Sequence, residues 1–540
     1  MRHLDATHEA DGATFLVGNQ EMVLGSAEET PCRVRACWAV EQVGGRHYAV
    51  IVTGTEDTYL HGFRRERGGT SCVPTRRAGE LPRAGLYCEG VGTQVTIVGG
   101  GSYQWAPELM ADLFGTPALA GMHLVLEDID PAPLPKMEAL AHKVNEALGA
   151  GATVATTTDL GAALDGADFV IVCISTGGFR SMAVDLDVPA VHGITQTVGD
   201  TVGPGGINRA LRNVPVLVGI GKAMEEHCPD AWLFNITNPM TCLTRAVCRE
   251  TRIKTVGLCH EVGNFCMDLA IAMGRPFEAV SCAVTGVNHF PVLTSLEVDG
   301  AEGFDVLRKL VDEVGGLESL TPYPDRPEAE PFSKLDFARR HVFKLTLLDR
   351  WGTFPAAGDR HIAEFVSFAL TSESDWGAAY NIGLSPISKR EEHQAQYVAD
   401  VDSWLAGTKD LQTWQSGELP SPMIQAMLTG EPYEAPVNIP NSGQGVGLPP
   451  DVVLESICVI DGDGIRGRDR AELPRPYDEI VRRHVATQEL TVEAALRGDR
   501  MLAGEAFALD PLAGRGDLRV TEAMVDELLA GTAEWLPQFA

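Results

Sequence analysis

Four short segments of the 540-residue chain carry side chains able to do chemistry: CHEV at 259–262, NHF at 288–290, NITNP at 235–239 and GDRHIAE at 358–364. A thiolate and an imidazole delivered from two strand ends can hold a divalent cation and leave positions open for substrate oxygens, which makes Cys259 and His289 a candidate metal pair. Read alone, a cysteine beside a histidine is more often a structural pair than a ligand pair. Asn235 and Asn238 offer donors and acceptors to a sugar or a carboxamide, although Asn-Pro is also a turn signal. Asp359, Arg360, His361 and Glu364 fall within six positions, a titratable set suited to proton transfer and anion binding or to a solvated charged turn.

The elements around these segments explain how they could meet. TQVTIVGGGS places Gly99, Gly101 and Ser102 after an apolar strand and before the helical pattern PELMADLF. Glycines at such a turn let backbone N–H groups approach a pyrophosphate, and the helix N-terminus adds partial positive charge. The third glycine of the usual fingerprint is missing, so a plain Gly-rich turn stays open. HLVLEDID ends a second strand with Asp128, 27 residues after Gly101, and Asp130. An acid there can bind the ribose hydroxyls and favours NAD over NADP. A helix over 135–149 and strands at TVATTTDL, ADFVIVCIST, DAWLFNIT, KTVGLC and AVTGVNHF follow. The pattern predicts an α/β fold, a Rossmann-like doubly wound sheet over 93–290. Residues 291–540 are expected to form a second, mixed α/β (α+β) domain for substrate and oligomer contacts, in which RPYDEIVRRHVATQELTVEAALRG reads as a pair of helices. Residues 1–92 read as an extra β-rich module with a hairpin about Gly44-Gly45, followed by a basic loop or linker, HGFRRERGGTSCVPTRRAGELPRAG.

Composition narrows the partners. The net charge of −31 would repel a polyphosphate or an anionic surface, so neither nucleic acid nor membrane is expected. There is no apolar run of about 18 residues and no apolar leader at the start, which predicts a soluble, cytoplasmic protein. The 12 scattered cysteines suit reduced thiols.

Together, VTIVGGGS, LEDID, VGDTVGPGGINRALRNVPVL, CPDAWLFNITNPM, GLCHEV, GVNHF, GDRH, VNIPNSGQGVGLPP and QELTVEAALRGD resemble glycoside hydrolase family 4 over about residues 94–535. The resemblance implies a lactate/malate dehydrogenase-like fold, NAD and Mn²⁺ or another divalent metal as cofactors, and a small-molecule glycoside as substrate. It implies oxidation at C3 of the sugar, deprotonation at C2, elimination of the aglycone, addition of water at C1 and return of the hydride. On that pattern Cys259 and His289 hold the metal, and His260 assists aglycone departure or positions the sugar. Asp359 is the base where the phospho-glycosidase branch has a tyrosine, and Arg360 and His361 touch the sugar. Asn238 and Arg180 resemble residues near substrate and nicotinamide, and Asn235 accompanies the cofactor. CHEV resembles the branch acting on unphosphorylated α-glycosides, which points to an α-glucoside or α-galactoside, with a uronide open through Arg360. A homodimer or homotetramer is implied. The rivals are an NAD-dependent 2-hydroxy acid dehydrogenase of the lactate/malate type and an inactive NAD- and sugar-binding sensor.

Overall fold

The computed structural model describes residues 92–320, 332–413 and 416–540 in full, and the backbone of six strands between residues 8 and 74. Two units, Met1–Tyr87 and Cys88–Ala540, are described separately. In the first, β1 (His8–Ala10), β2 (Ala13–Leu24), β3 (Cys32–Val43), β4 (Arg46–Ile51), β5 (His61–Glu66) and β6 (Gly69–Pro74) pair antiparallel in chain order. Val43 lies opposite Arg46 where β3 pairs with β4, and the turn expected at Gly44-Gly45 falls outside the described residues. The basic stretch read as a loop corresponds in part to the paired strands β5 and β6, because strand pairing satisfies backbone groups whatever the side-chain charge.

In the second unit a twelve-stranded sheet is assembled from a parallel half and an antiparallel half. The parallel half contains β7 (Gln94–Val98), β8 (His123–Glu127), β9 (Thr153–Thr157), β10 (Phe169–Val172), β11 (Trp232–Asn235) and β12 (Lys254–Leu258). Their spatial order is β9-β8-β7-β10-β11-β12, so the order reverses between β7 and β10 and opens a crevice at their carboxyl ends. Short apolar runs such as FVIV in β10, buried throughout, suit strands covered on both faces. The antiparallel half adds β13 (Val280–Val287), β14 (Phe290–Val298), β15 (Ala301–Glu302), β16 (Tyr433–Pro440), β18 (Val453–Asp461) and β19 (Gly464–Gly467). Short β17 (Gly445–Val446) pairs with β20 (Ala471–Glu472).

The parallel strands are packed on both sides. One apolar cluster includes Leu109, Met137 and Ile424 from helices Trp105–Phe114, Leu134–Leu148 and Pro420–Thr429. The opposite cluster includes Leu217 and Val492 from helices Gly203–His227 and Tyr477–Arg497. A third surrounds β13 and β14 with Phe265, Phe337 and Phe354. The expected pair of helices near residue 480 is one 21-residue helix, Tyr477–Arg497, because no glycine or proline interrupts it before Gly498, whose φ of +63° closes it. Among the described residues no helix is long and apolar enough to cross a membrane.

Candidate active site

The turn after β7 is built around glycine. Gly99 has φ +91°, and a Cβ there would stand 2.4 Å from the Cys173 carbonyl oxygen. Gly99 and Gly100 donate to the Glu127 carbonyl at 2.9 and 2.7 Å, and Gly101 N–H donates to Asp128 Oδ2 at 3.0 Å. Ser102 Oγ accepts the Trp105 N–H at 3.1 Å as the next helix begins. Asp128 therefore braces the turn with one oxygen and fixes Asp130 with the other, which accepts the Asp130 N–H at 2.9 Å. Gly101 and Ser102 open into a cavity of about 530 Å³ at the strand-order reversal, together with Asn238, Asp200, Arg209 and Arg390. Its position fits a dinucleotide.

A second cavity, of about 430 Å³, is lined by Glu261, Gly358, Asp359, Arg360, His361 and Lys344 among others. The two cavities meet at one group: ligand atoms of Asp200, His289 and His361 all lie within 4.8 Å of one another. Asp200 lines the first cavity and His361 the second. The rings of His289 and His361 stand 3.9 Å apart. His289 sits in the tight turn between β13 and β14 at φ +66°, an uncommon conformation for a side-chain-bearing residue.

One hydroxyl sets the chemistry of this group. Thr201 Oγ1 lies 2.8 Å from Asp200 Oδ1 and 2.8 Å from His289 Nδ1. Burial pushes the Asp200 carboxyl up, but His361, His289, Arg209 and the Thr201 hydrogen bond outweigh it and hold it at about 2. Asp200 is thus anionic and accepts the single hydroxyl hydrogen, so His289 Nδ1 must itself donate to Thr201. Nε2 is left with a lone pair. Burial, then His361, depress the His289 ring to about 3, which keeps it neutral. A carboxylate and two imidazoles, one with its second nitrogen held by a neighbour, are a fitting donor set for a divalent cation.

At the start of helix Glu261–Met273, His260 Nδ1 donates to Glu418 Oε1 at 2.8 Å, and Nε2 lies 3.7 Å from Glu261 Oε1. The Glu418 hydrogen bond, against burial and with Glu261 and Glu108 assisting, raises His260 to about 9. Glu261 accepts the Gly358 N–H at 2.5 Å. Burial pushes its carboxyl up, but His361, His289 and His260 bring it down to about 2. The site therefore pairs a protonated imidazole with an anionic carboxylate.

A family 4 glycosyl hydrolase description matches residues 94–274, and its C-terminal domain matches residues 284–513. An α-galactosidase of Bacillus subtilis is 30% identical over 455 residues, covering 83% of this chain and 99% of that protein. The chain belongs to glycosyl hydrolase family 4. An α-galacturonidase of Thermoanaerobacterium saccharolyticum is 32% identical to this family 4 hydrolase over 464 residues, covering 83% of the chain and 98% of the relative. A 6-phospho-α-glucosidase from gut microorganisms, solved in complex with NAD and Mn²⁺, shares the fold at a TM-score of 0.69 and 19% identity, covering 83% of this chain and 99% of that one. Membership makes the chain a hydrolase of O-glycosidic bonds and disfavours the dehydrogenase alternative.

Several residues expected from sequence stand at these cavities of the family 4 hydrolase: Gly101, Ser102 and Asn238 at the first, Asp359, Arg360 and His361 at the second, and His289 between them. Cys259, buried at the end of β12, is outside the metal-like group; burial, then Glu455 and Glu261, push its thiol well up. Asn235 is fully buried and gives its amide to the Thr237 carbonyl and Thr244 hydroxyl, each at 3.2 Å, which makes it a loop brace. Arg180 lies at the surface, paired with Glu534 at 2.8 Å and set over Trp535. Asp359 spends Oδ2 on the Phe343 N–H at 2.8 Å and sets Oδ1 3.1 Å from the buried Lys344 ammonium, a holding task more than a free base. Sequence reasoning assigned no role to Asp200, Glu261, Arg209 or Glu418. The acid in VGDTVGPGG, next to a Gly-rich helix start, was the available signal for Asp200.

Proposed function

We propose that this family 4 hydrolase cleaves a small α-glycoside by nicotinamide-linked oxidation and elimination at the junction of its two cavities. The observation that carries this reading is the group Asp200, His289 and His361, which faces the dinucleotide-type cavity on one side and the polar cavity on the other. NAD would be held by the 99–102 turn with Asp128 and Asp130 toward the ribose. Mn²⁺ or another divalent cation would be held by Asp200, His289 and His361, with Cys259 as a further donor. When bound, the dinucleotide supplies a hydride acceptor and the cation a Lewis acid. Support for this pair of cofactors comes from the fit of the donor set and from the NAD and Mn²⁺ bound by the gut 6-phospho-α-glucosidase.

The chain's own groups divide the proton work. Glu261 is anionic and lines the sugar-side cavity with Asp359, which makes it a second candidate proton acceptor beside Asp359. Asp359 keeps Lys344 in place beside it. His260, protonated up to about 9, donates to the departing aglycone oxygen. Arg360 and His361 orient the sugar, and Asn238, whose amide lies 3.4 Å from Asp200 Oδ2, orients the carboxylate.

The sugar is an α-galactoside, α-galacturonide or α-glucoside, the first two suggested by the relatives' activities and the uronide by Arg360 and Arg390. Both arginines bond Ser385, at 2.8 Å to Oγ and 3.2 Å to the carbonyl, and bracket the junction. The setting is the cytoplasm and the assembly a homodimer or homotetramer, which light scattering of the eluted protein checks. Aryl α- and β-galactosides, galacturonides and glucosides, assayed with and without NAD and Mn²⁺, test the reading. Release confined to one α-linked sugar and dependent on both additions supports it; stoichiometric NADH without release, or silence, rejects it and returns the dehydrogenase or sensor.

A further inference from the structure

Two cysteines outside both cavities face each other. Cys266, buried in helix Glu261–Met273, has its Sγ 3.8 Å from the Sγ of Cys282 in β13, a residue with partial solvent access. By contrast, Cys173 and Cys458 have hydrogen-bonding contacts with carbonyls or a hydroxyl. Arg468 reaches the Cys282 backbone, donating to its carbonyl at 3.1 Å. We propose that Cys266 and Cys282 form a reversible disulfide, a redox modification site that joins the two elements leading into the catalytic junction.

The order of events follows from access and charge. The hydrogen bond shared with Cys266, against burial and with the Arg468 charge assisting, holds the Cys282 thiol below its usual range, whereas Cys266, the more buried of the two, is pushed well up by that same hydrogen bond and by burial. Cys282, as thiolate, attacks a low-molecular-weight disulfide RSSR, forming a mixed disulfide and expelling RS⁻. Cys266 then loses its proton and attacks the Cys282 sulfur, expelling the second RS⁻. Two protein thiols are oxidised to one disulfide, RSSR is reduced to two RSH, and the two thiol protons end on the expelled thiolates.

Bond formation brings sulfurs now 3.8 Å apart to about 2.05 Å, drawing the helix and the strand together. The helix begins with Glu261, which holds the Gly358 N–H, and β13 runs into the turn that presents His289. Closure therefore moves the proposed proton acceptor relative to the metal-like group and slows turnover. This consequence rests on the proposed glycosidase reading; the bond itself does not.

The full chain is incubated with oxidised glutathione, its free thiols are blocked in denaturant and its peptides mapped by mass spectrometry. The proposal expects a peptide pair linked through Cys266 and Cys282, lost on treatment with dithiothreitol and absent from Cys266→Ser and Cys282→Ser. Turnover of the best glycoside should fall about tenfold or more in the oxidised wild type, since displacements near 1 Å have such cost, and recover on reduction. Cys282→Ser treated in the same way should keep its activity. Absence of the linked peptide, or a glutathione adduct that stays on Cys282, overturns the site. Equal inactivation of wild type and Cys282→Ser overturns its regulatory effect. If no protein turns over any glycoside, the linked peptide still decides the bond while the glycosidase reading fails by itself.

Discussion

Thr201 has one hydroxyl hydrogen and two neighbours, and the charge on Asp200 decides which of them receives it. His289 is thereby fixed with Nε2 free, so Thr201→Val, which keeps the shape and loses the hydroxyl, should weaken Mn²⁺ binding about 10–100-fold in a titration of free ion. Unchanged affinity would remove Thr201 from the account. His260 carries a second prediction. Its partner Glu418 raises its pKa to about 9, so the protonated ring is present below that pH and is lost as pH rises through it. Glu418→Gln should move the alkaline limb of the kcat/KM profile down toward the ordinary histidine range near 6.5. His289 and His361 stand out in the sequence because each falls in a short polar motif, GVNHF and GDRH, beside other groups able to do chemistry. Asp200 was not, since an acid before a Gly-rich stretch reads as a turn until folding sets it against two imidazoles. Asp359 reads in the sequence as a lone carboxylate, and only the fold shows the buried Lys344 set against it.

Among the elements, the parallel strands and the turn after β7 were readable because buried parallel strands are short apolar runs with glycine where backbone must come close. Gly99 illustrates the demand: with φ +91° and the Cys173 carbonyl 2.4 Å from any added Cβ, Gly99→Ala has to shift the turn. Strain of about 1–3 kcal/mol at such a position should raise the KM for NAD about tenfold or more, read by NAD titration at saturating glycoside. An unaltered KM would place the dinucleotide elsewhere. What the sequence concealed was partnership between distant elements. Glu364, fully buried, accepts the Val198 and Gly199 N–H groups at 2.8 and 2.9 Å and so fixes the loop bearing Asp200 from 166 and 165 residues away. The segment read as a pair of helices is the single helix Tyr477–Arg497, with no glycine or proline inside it to break the backbone.

For the whole molecule, stability and site share a dependence on buried histidines staying neutral. His484 is buried against the Phe365 carbonyl, with Nε2 at 2.8 Å, and burial depresses its pKa to about 4. Its contribution is complete above the unfolded value of 6.5 and is lost as pH falls toward 4, about 3 kcal/mol over that window. Denaturant titrations of wild type and His484→Gln should differ by that much less at pH 4 than at pH 7, and a difference independent of pH would contradict the assignment. Glycoside cleavage would draw on residues far apart in sequence, since the dinucleotide turn lies near residue 100 and the imidazoles near 289 and 361. The most direct test of the proposed reaction is glycoside cleavage in D₂O with NAD and Mn²⁺ present, followed by NMR of the released sugar. Oxidation and elimination predict deuterium at C2 and no accumulation of NADH; a sugar released with its C2 hydrogen intact would show direct hydrolysis and contradict the account.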